Sequence, residues 1–301
     1  MDFLTRRPWA SLLGPLLALG VLTTGCGAAD AQAASKAKPV ETRAAWASGW
    51  SASLQRPSIG FEPNWAQEGF ADQSVRQVTR VGIGGSAVRI RLSNRYGTTP
   101  LKVTGASIGA SGGGASVRPG SVWHLRFGHA SSVVIPPGRE IASDSTSLRV
   151  TPLESLSTTL YFAGSTGPAT FHAQAYSTSY RTAGDHLNDR AATAFTQTTH
   201  SWYYLSDVEV LGEAPRRDAM VTFGDSITDG FGSTDDANDR YSDELAERFV
   251  AMREPRSVLN AGIGGNLLLH EAHRPGPRTG DHGNRRHPVA LQGLGPLQQA
   301  F

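Results

Sequence analysis

The chain has 301 residues, of which 18% are charged, and 28 Lys and Arg against 26 Asp and Glu leave a formal net charge of +2. That charge forms no basic stripe, and Arg285-Arg286 is an isolated pair, which excludes an electrostatic nucleic-acid binder. A single cysteine excludes a disulfide framework, and 34 glycines suit a loop-rich β protein.

At the N-terminus, Arg6 and Arg7 precede an apolar stretch at 12–22. It is too short to span a membrane and has the length of a signal-peptide core. Export to the extracellular space or the cell envelope is therefore expected, with residues 1–33 as the signal peptide and 34–44 as a small, polar linker. Two cleavage readings stand side by side. Leu22-Thr23-Thr24-Gly25-Cys26 resembles a bacterial lipobox, which would leave Cys26 lipidated and the protein tethered to a membrane, although Thr23 departs from the usual aliphatic residue. Ala31-Gln32-Ala33 fits an ordinary small-x-small site, in which case Cys26 is discarded with the leader.

From 45 to 212 the pattern is strand after strand. Val88-Arg89-Ile90-Arg91-Leu92 and Ser121–Phe127 alternate in polarity, and further runs lie at 132–135, 147–150, 158–162 and 202–205. Turn signals such as Asn94-Arg95-Tyr96-Gly97 and Pro136-Pro137-Gly138 separate them. The spacing predicts an antiparallel β-sandwich of about 165 residues, enough for its own core. Trp123, Trp202 and Tyr204 have two readings, as a platform for stacking sugars or as core residues, the commoner fate of strand aromatics.

The most telling stretch is Gly224-Asp225-Ser226-Ile227-Thr228-Asp229-Gly230, directly after the apolar run Met220-Val221-Thr222-Phe223. A serine where a buried strand turns through glycine into a helix is exposed to substrate and near backbone amides that can hold an anion. It is not the Gly-x-Ser-x-Gly elbow, because Thr228 stands where the second glycine would be. Downstream, Ser242 is placed to cap a helix with Asp243 and Glu244 in its first turn and Leu245, Ala246, Phe249 and Val250 along one face. Ser257-Val258-Leu259-Asn260 then reads as a short strand, and Ala261-Gly262-Ile263-Gly264-Gly265-Asn266 as a glycine-rich loop. Strand, helix, strand and loop open an α/β sheet.

These two blocks resemble the first and second blocks of the SGNH (GDSL) hydrolases. The resemblance implies a serine esterase acting on carboxylic esters, of acetylated carbohydrate, lipid or a small acyl group, with Ser226 as nucleophile and no cofactor or metal. It also implies that the N–H of Gly265, beside that of Ser226, donates to the oxyanion. The β region is similar to the N-terminal domain of two-domain secreted bacterial members, among them esterases that deacetylate plant polysaccharides. That similarity rests on Gly69-Phe70-Ala71-Asp72-Gln73, Arg91-Leu92-Ser93-Asn94, Gly167-Pro168-Ala169-Thr170 and His200-Ser201-Trp202-Tyr203. The implied fold is α/β plus all-β: an antiparallel β-sandwich at 45–212, then an incomplete flavodoxin-like SGNH domain at 216–270.

Two further blocks of the family, Gly-x-Asn-Asp and Asp-x-x-His, do not follow Ser226. His186-Leu187-Asn188-Asp189 lacks the glycine and lies upstream, and Asp281 has Asn284 rather than histidine three residues on. His270-Glu271-Ala272-His273 is no zinc motif, since Arg274 occupies the place of its second histidine. Residues 271–301, broken by Pro275, Pro277, Pro288 and Pro296, read as a disordered tail outside the family pattern. A single-domain sheet of ordinary size needs roughly another hundred residues. The expectation is thus a truncated or frame-shifted C-terminus and an impaired esterase. The alternative is a non-catalytic secreted protein that binds carbohydrate or a surface. Translation of the encoding DNA past His270 in the other two frames is expected to yield Gly-x-Asn-Asp and Asp-x-x-His; their absence from both frames would sink the frame-shift reading.

Overall fold

Alternating apolar and charged residues need a buried and a wet face, and strands supply both. The computed structural model describes residues 44–213 and 218–266. In chain order its strands begin with β1 (Ala44–Ser51), β2 (Gln73–Arg80), β3 (Ala87–Ser93), β4 (Leu101–Val103), β5 (Gly105–Gly113), β6 (Ser116–Val117), β7 (Trp123–His124), β8 (Val133–Ile135) and β9 (Glu140–Ala142). They continue with β10 (Ser155–Phe162), β11 (Phe171–His172), β12 (Ser179–Ala183), β13 (Gln197–Thr199), β14 (Trp202–Tyr203), β15 (Leu205–Glu213) and β16 (Met220–Gly224). Helices α1 (Ser226–Asp229) and α2 (Tyr241–Ala251) precede β17 (Val258–Gly262). Among the described residues the fold is mostly β, with several antiparallel sheets and little helix.

One antiparallel sheet has the order β1-β15-β3-β9. In β3 the predicted alternation holds: Val88, Ile90 and Leu92 are fully buried, while Arg89 and Arg91 both pair with Glu209 of β15. A second sheet runs β13-β12-β2-β10-β5-β6, with β7 also on β5. One hydrophobic core draws on both sheets, with Val88, Ile90, Val208 and Val210 from the first and Val75, Ile108, Leu156 and Leu160 from the second. That sharing makes the arrangement sandwich-like. Aromatic rings fill one end of the core: Phe70 stacks on Phe162 at 5.4 Å and Trp65 on Tyr203 at 5.5 Å.

The other face of β2 is also covered. Arg76 is fully buried there, donates to Thr159 Oγ1 and to the carbonyls of Ala115, His186 and Asp189, and lies 4.1 Å over the Phe195 ring. Burial pushes its guanidinium down to about 10. The upstream His186-Leu187-Asn188-Asp189 stretch thus lies against the outer face of this sheet: two of its carbonyls hold Arg76, and Asn188 Oδ1 meets His124 Nε2 at 2.8 Å.

Several predicted elements differ. Residues 147–150 form no strand; Thr146 and Val150 make only isolated bridges to Val88 and Gly85. Of 121–127 only Trp123–His124 forms a strand, on β5, while Phe127 makes an isolated bridge to Ala130. The run at 202–205 is broken at Tyr204, whose φ of 59° ends β14 before β15 begins. Helix α2 starts two residues earlier than expected, and Arg240, in an extended conformation, occupies the N-cap without a side-chain capping bond. The Ser242 hydroxyl is not a cap, because it accepts from Asn260 Nδ2 at 3.0 Å. No platform joins Trp123, Trp202 and Tyr204: Trp202 and Tyr204 are 2% and 1% exposed and belong to the core, whereas Trp123 is 42% exposed.

Strands β16 and β17 pair in parallel, Met220 opposite Val258 through Gly224 opposite Gly262, with α1 and α2 in the connection between them. Strand β16 is not the buried strand its apolar run suggested, for Met220 and Phe223 are 42% and 40% exposed. The pair docks on the β sheets through backbone and charge. The Ser257 hydroxyl donates to the Ser48 carbonyl, Arg80 pairs with Glu247 at 2.7 Å, and Gly82 lets the chain at Arg256 and Ser257 approach, since a Cβ there would sit 3.1 Å from the Arg256 oxygen. The core reading of the aromatics predicts that Trp202→Ala loses about 3–5 kcal/mol of stability in urea unfolding, while Trp123→Ala changes it by under about 1 kcal/mol.

Candidate functional site

The parallel register decides what meets what. Because Gly224 pairs with Gly262, the turn carrying Ser226 and the loop carrying Gly265 leave the same, carboxyl end of the β16–β17 pair, where open α/β sheets place their ligands. Ile263 N donates to the Gly224 carbonyl at 3.2 Å, and Asn266 N to the Ile263 carbonyl at 3.0 Å.

Asp225 is extended and caps α1, accepting from Ile227 N at 3.0 Å, which fixes Ser226 as the first helical residue. Ser226 is half-buried, and its hydroxyl makes no hydrogen bond with the described residues. Gly265 has φ 75°, which favours glycine, and its N–H likewise has no partner among the described residues. The helix is only four residues long, so little macrodipole stands behind it. Any anion here depends on individual N–H groups.

Gly262 is dictated by packing. A Cβ there would fall on the Asp229 backbone nitrogen and sit 2.6 Å from Asp229 Cα and Thr228 C, so α1 lies against bare backbone. Thr228 is gripped from two sides, its carbonyl accepting from Asn260 Nδ2 at 2.6 Å and its Oγ1 from the Tyr241 hydroxyl at 3.1 Å.

Asp229, the last acid of the seven-residue stretch, is a residue whose role the sequence did not disclose. Its side chain is 3% exposed, with Oδ1 3.0 Å from His172 Nε2 and Oδ2 accepting the Gly264 N–H at 2.8 Å. His172 sits on β11 directly across from Trp202 of β14, stacks on that indole at 5.5 Å, and has Nδ1 2.8 Å from the Ser53 carbonyl. Burial works to lower the His172 affinity for its proton, but the Asp229 carboxylate and the Ser53 carbonyl together outweigh it and the net shift is upward. Tyr176 is pushed up to about 12, first by burial and then by the Asp229 charge.

The β region supplies two more neighbours of the glycine loop. A Cβ on Gly264 would fall on the Gln174 side-chain oxygen and lie 3.0 Å from the Phe61 ring, and one on Gly265 would lie 3.4 Å from that ring. Phe61 is nevertheless 62% exposed. None of these residues carries a motif; only the folded chain brings them to the loop. A cavity of about 20 Å³, lined by His172, Asp229, Arg240 and Trp202 among others, holds one water at most and no substrate.

No histidine among the described residues is hydrogen-bonded to Ser226. His172 is engaged as above, His124 meets Asn188, His186 meets Asp189 at 2.7 Å, and His200 faces Glu62 and Asp235 at 3.4 and 3.3 Å. Cys26, the expected leader at 1–33 and the expected tail at 271–301 lie outside the described residues. No family model matches the chain, and no curated protein matches it.

The packing predicts two unequal glycine substitutions. Gly262→Ala drives a methyl into backbone and is expected to lose at least about 1–3 kcal/mol in urea unfolding. Gly264→Ala meets chiefly the flexible Gln174 side chain and should lose clearly less.

Proposed function

We propose that this chain carries the nucleophile and oxyanion half of an SGNH-type serine esterase site, in a two-domain exported protein whose β-sandwich precedes an incomplete flavodoxin-like α/β segment. The observation that supports it most is the parallel pairing of β16 and β17, which sends the Ser226 turn and the Gly264-Gly265 loop from one end of the pair. Ser226 Oγ attacks the ester carbonyl, the charge on the carbonyl oxygen rests on the N–H groups of Ser226 and Gly265, the alcohol leaves, and water releases the acyl group. Carboxylic esters are the substrate class, with acetylated carbohydrate, lipid and small acyl esters all compatible.

Among the described residues no general base stands beside Ser226. In the family a histidine removes the serine proton, and no described histidine is in hydrogen-bonding contact with Ser226. A site that keeps its oxyanion donors but lacks a triad member retains roughly 10³–10⁴-fold over water. The alternative, a non-catalytic carbohydrate- or surface-binding protein, has no stacking platform in Trp202 and Tyr204, since both are buried.

The test is hydrolysis of p-nitrophenyl acetate by the purified chain beside Ser226→Ala. A slow rate, within a few powers of ten of water, that drops further in the variant is expected. Equal rates from the two proteins would overturn the reading.

A further inference from the structure

Both ring nitrogens of His172 face acceptors, a backbone carbonyl and the Asp229 carboxylate. Nδ1 is 2.8 Å from the Ser53 carbonyl oxygen, and Nε2 is 3.0 Å from Asp229 Oδ1. Each contact is a hydrogen bond only if the ring nitrogen brings a proton, so both are made together only by the doubly protonated, positively charged ring. The chain of bonds does not stop there, because the second Asp229 oxygen accepts the Gly264 N–H at 2.8 Å. Three consecutive hydrogen bonds thus run from Ser53, through the imidazole and one carboxylate, to the residue preceding Gly265.

We propose that the His172 imidazolium is a positioning residue for the Gly264-Gly265 loop, holding Asp229 in place and, through it, the loop amides. Only the final step, from loop position to oxyanion binding, rests on the esterase reading.

The charged and titratable groups around His172 come from several elements. Asp229 of α1 attracts the charge, and the Arg240 guanidinium, 5.8 Å over the Trp202 ring, opposes it. Arg240 is itself engaged by Asp243 at 2.6 and 3.1 Å. Arg80 of β2 and Asp243 of α2 line the same small cavity, Arg80 being paired with Glu247, and Tyr176 feels the Asp229 charge. Asp229 and the Ser53 carbonyl together prevail, and the His172 proton is held more tightly than in a free imidazole.

The sign follows. The proton, and the stability it contributes, are fully present below the ordinary histidine value of about 6.5 and are lost as pH rises through the raised folded value. When the proton leaves, one of the two contacts becomes acceptor against acceptor, Asp229 loses its counter-charge, and the bond it accepts from Gly264 must change.

The experiment is a pH titration of the full chain followed by ¹⁵N–¹H NMR. The Gly264 and Gly265 amide peaks are expected to move with the midpoint of the His172 ring signals, above about 6.5. In His172→Gln, which keeps a donor but does not titrate, they should stay flat across that range. Amide peaks indifferent to the His172 midpoint, or moving unchanged in the variant, would overturn the proposal. Should His172→Gln fail to fold, the coincidence of midpoints in the unaltered chain decides by itself. The readout needs no turnover, so it separates from the esterase reading: flat amides beside Ser226-dependent hydrolysis remove the positioning role alone, and tracking amides support it even where Ser226→Ala hydrolyses ester as fast as the unaltered chain.

Discussion

Asp229 is the joint on which the described structure turns. Its carboxylate, 3% exposed, is shared between His172, placed by the β11–β14 ribbon, and the amide of Gly264 beyond β17. A buried carboxylate is tolerable only when its oxygens are satisfied, and here an imidazole and a backbone N–H do so. Removing one partner of such a pair leaves an uncompensated buried charge, which generally costs about 3–5 kcal/mol. The pair therefore ties the serine turn to the β sheets more firmly than an exposed ion pair such as Arg118–Glu154 could tie anything.

A second buried acid stands beside the same junction. Asp207 of β15 is in the core of the first sheet, where burial pushes its carboxyl well above the usual range, and it accepts from the Ser48 hydroxyl at 2.8 Å. The carbonyl of that same Ser48 takes the Ser257 hydroxyl, just before β17. The parallel pair is thus fastened to β1 at its start and to β11 near its end. Packing between these points needs bare backbone at Gly82 and Gly262, so a segment with little sheet of its own is held by contacts to sheets formed earlier in the chain.

Much of this was legible locally. The period-two alternation of β3 identified its buried face, because a pleated strand has only two faces to offer. Gly224 through Gly230 announced a strand, a turn and a serine at a helix start, and β16, the Asp225 cap and α1 take that form. The misplaced elements share a cause in tertiary contacts. Ser242 is a good cap in isolation, yet its hydroxyl serves Asn260, and the strand promised at 202–205 is interrupted where Tyr204 turns its ring into the core at positive φ. The exposure of Met220 and Phe223 was equally invisible, since hydropathy shows what a strand prefers and not what covers it.

The sequence by itself determined a β-rich chain and the pair of glycine-flanked blocks around Ser226 and Gly265, because strand period and turn chemistry act over a few residues. Tertiary structure alone decided that His172, Gln174 and Phe61, between roughly 50 and 170 residues upstream of Ser226, would surround the glycine loop, and that Asp229 would bind the histidine rather than solvent. The physical reason is range. A buried charge finds its partner only after the sheets have formed and water has been excluded, and no local pattern of residues records which distant histidine will be there.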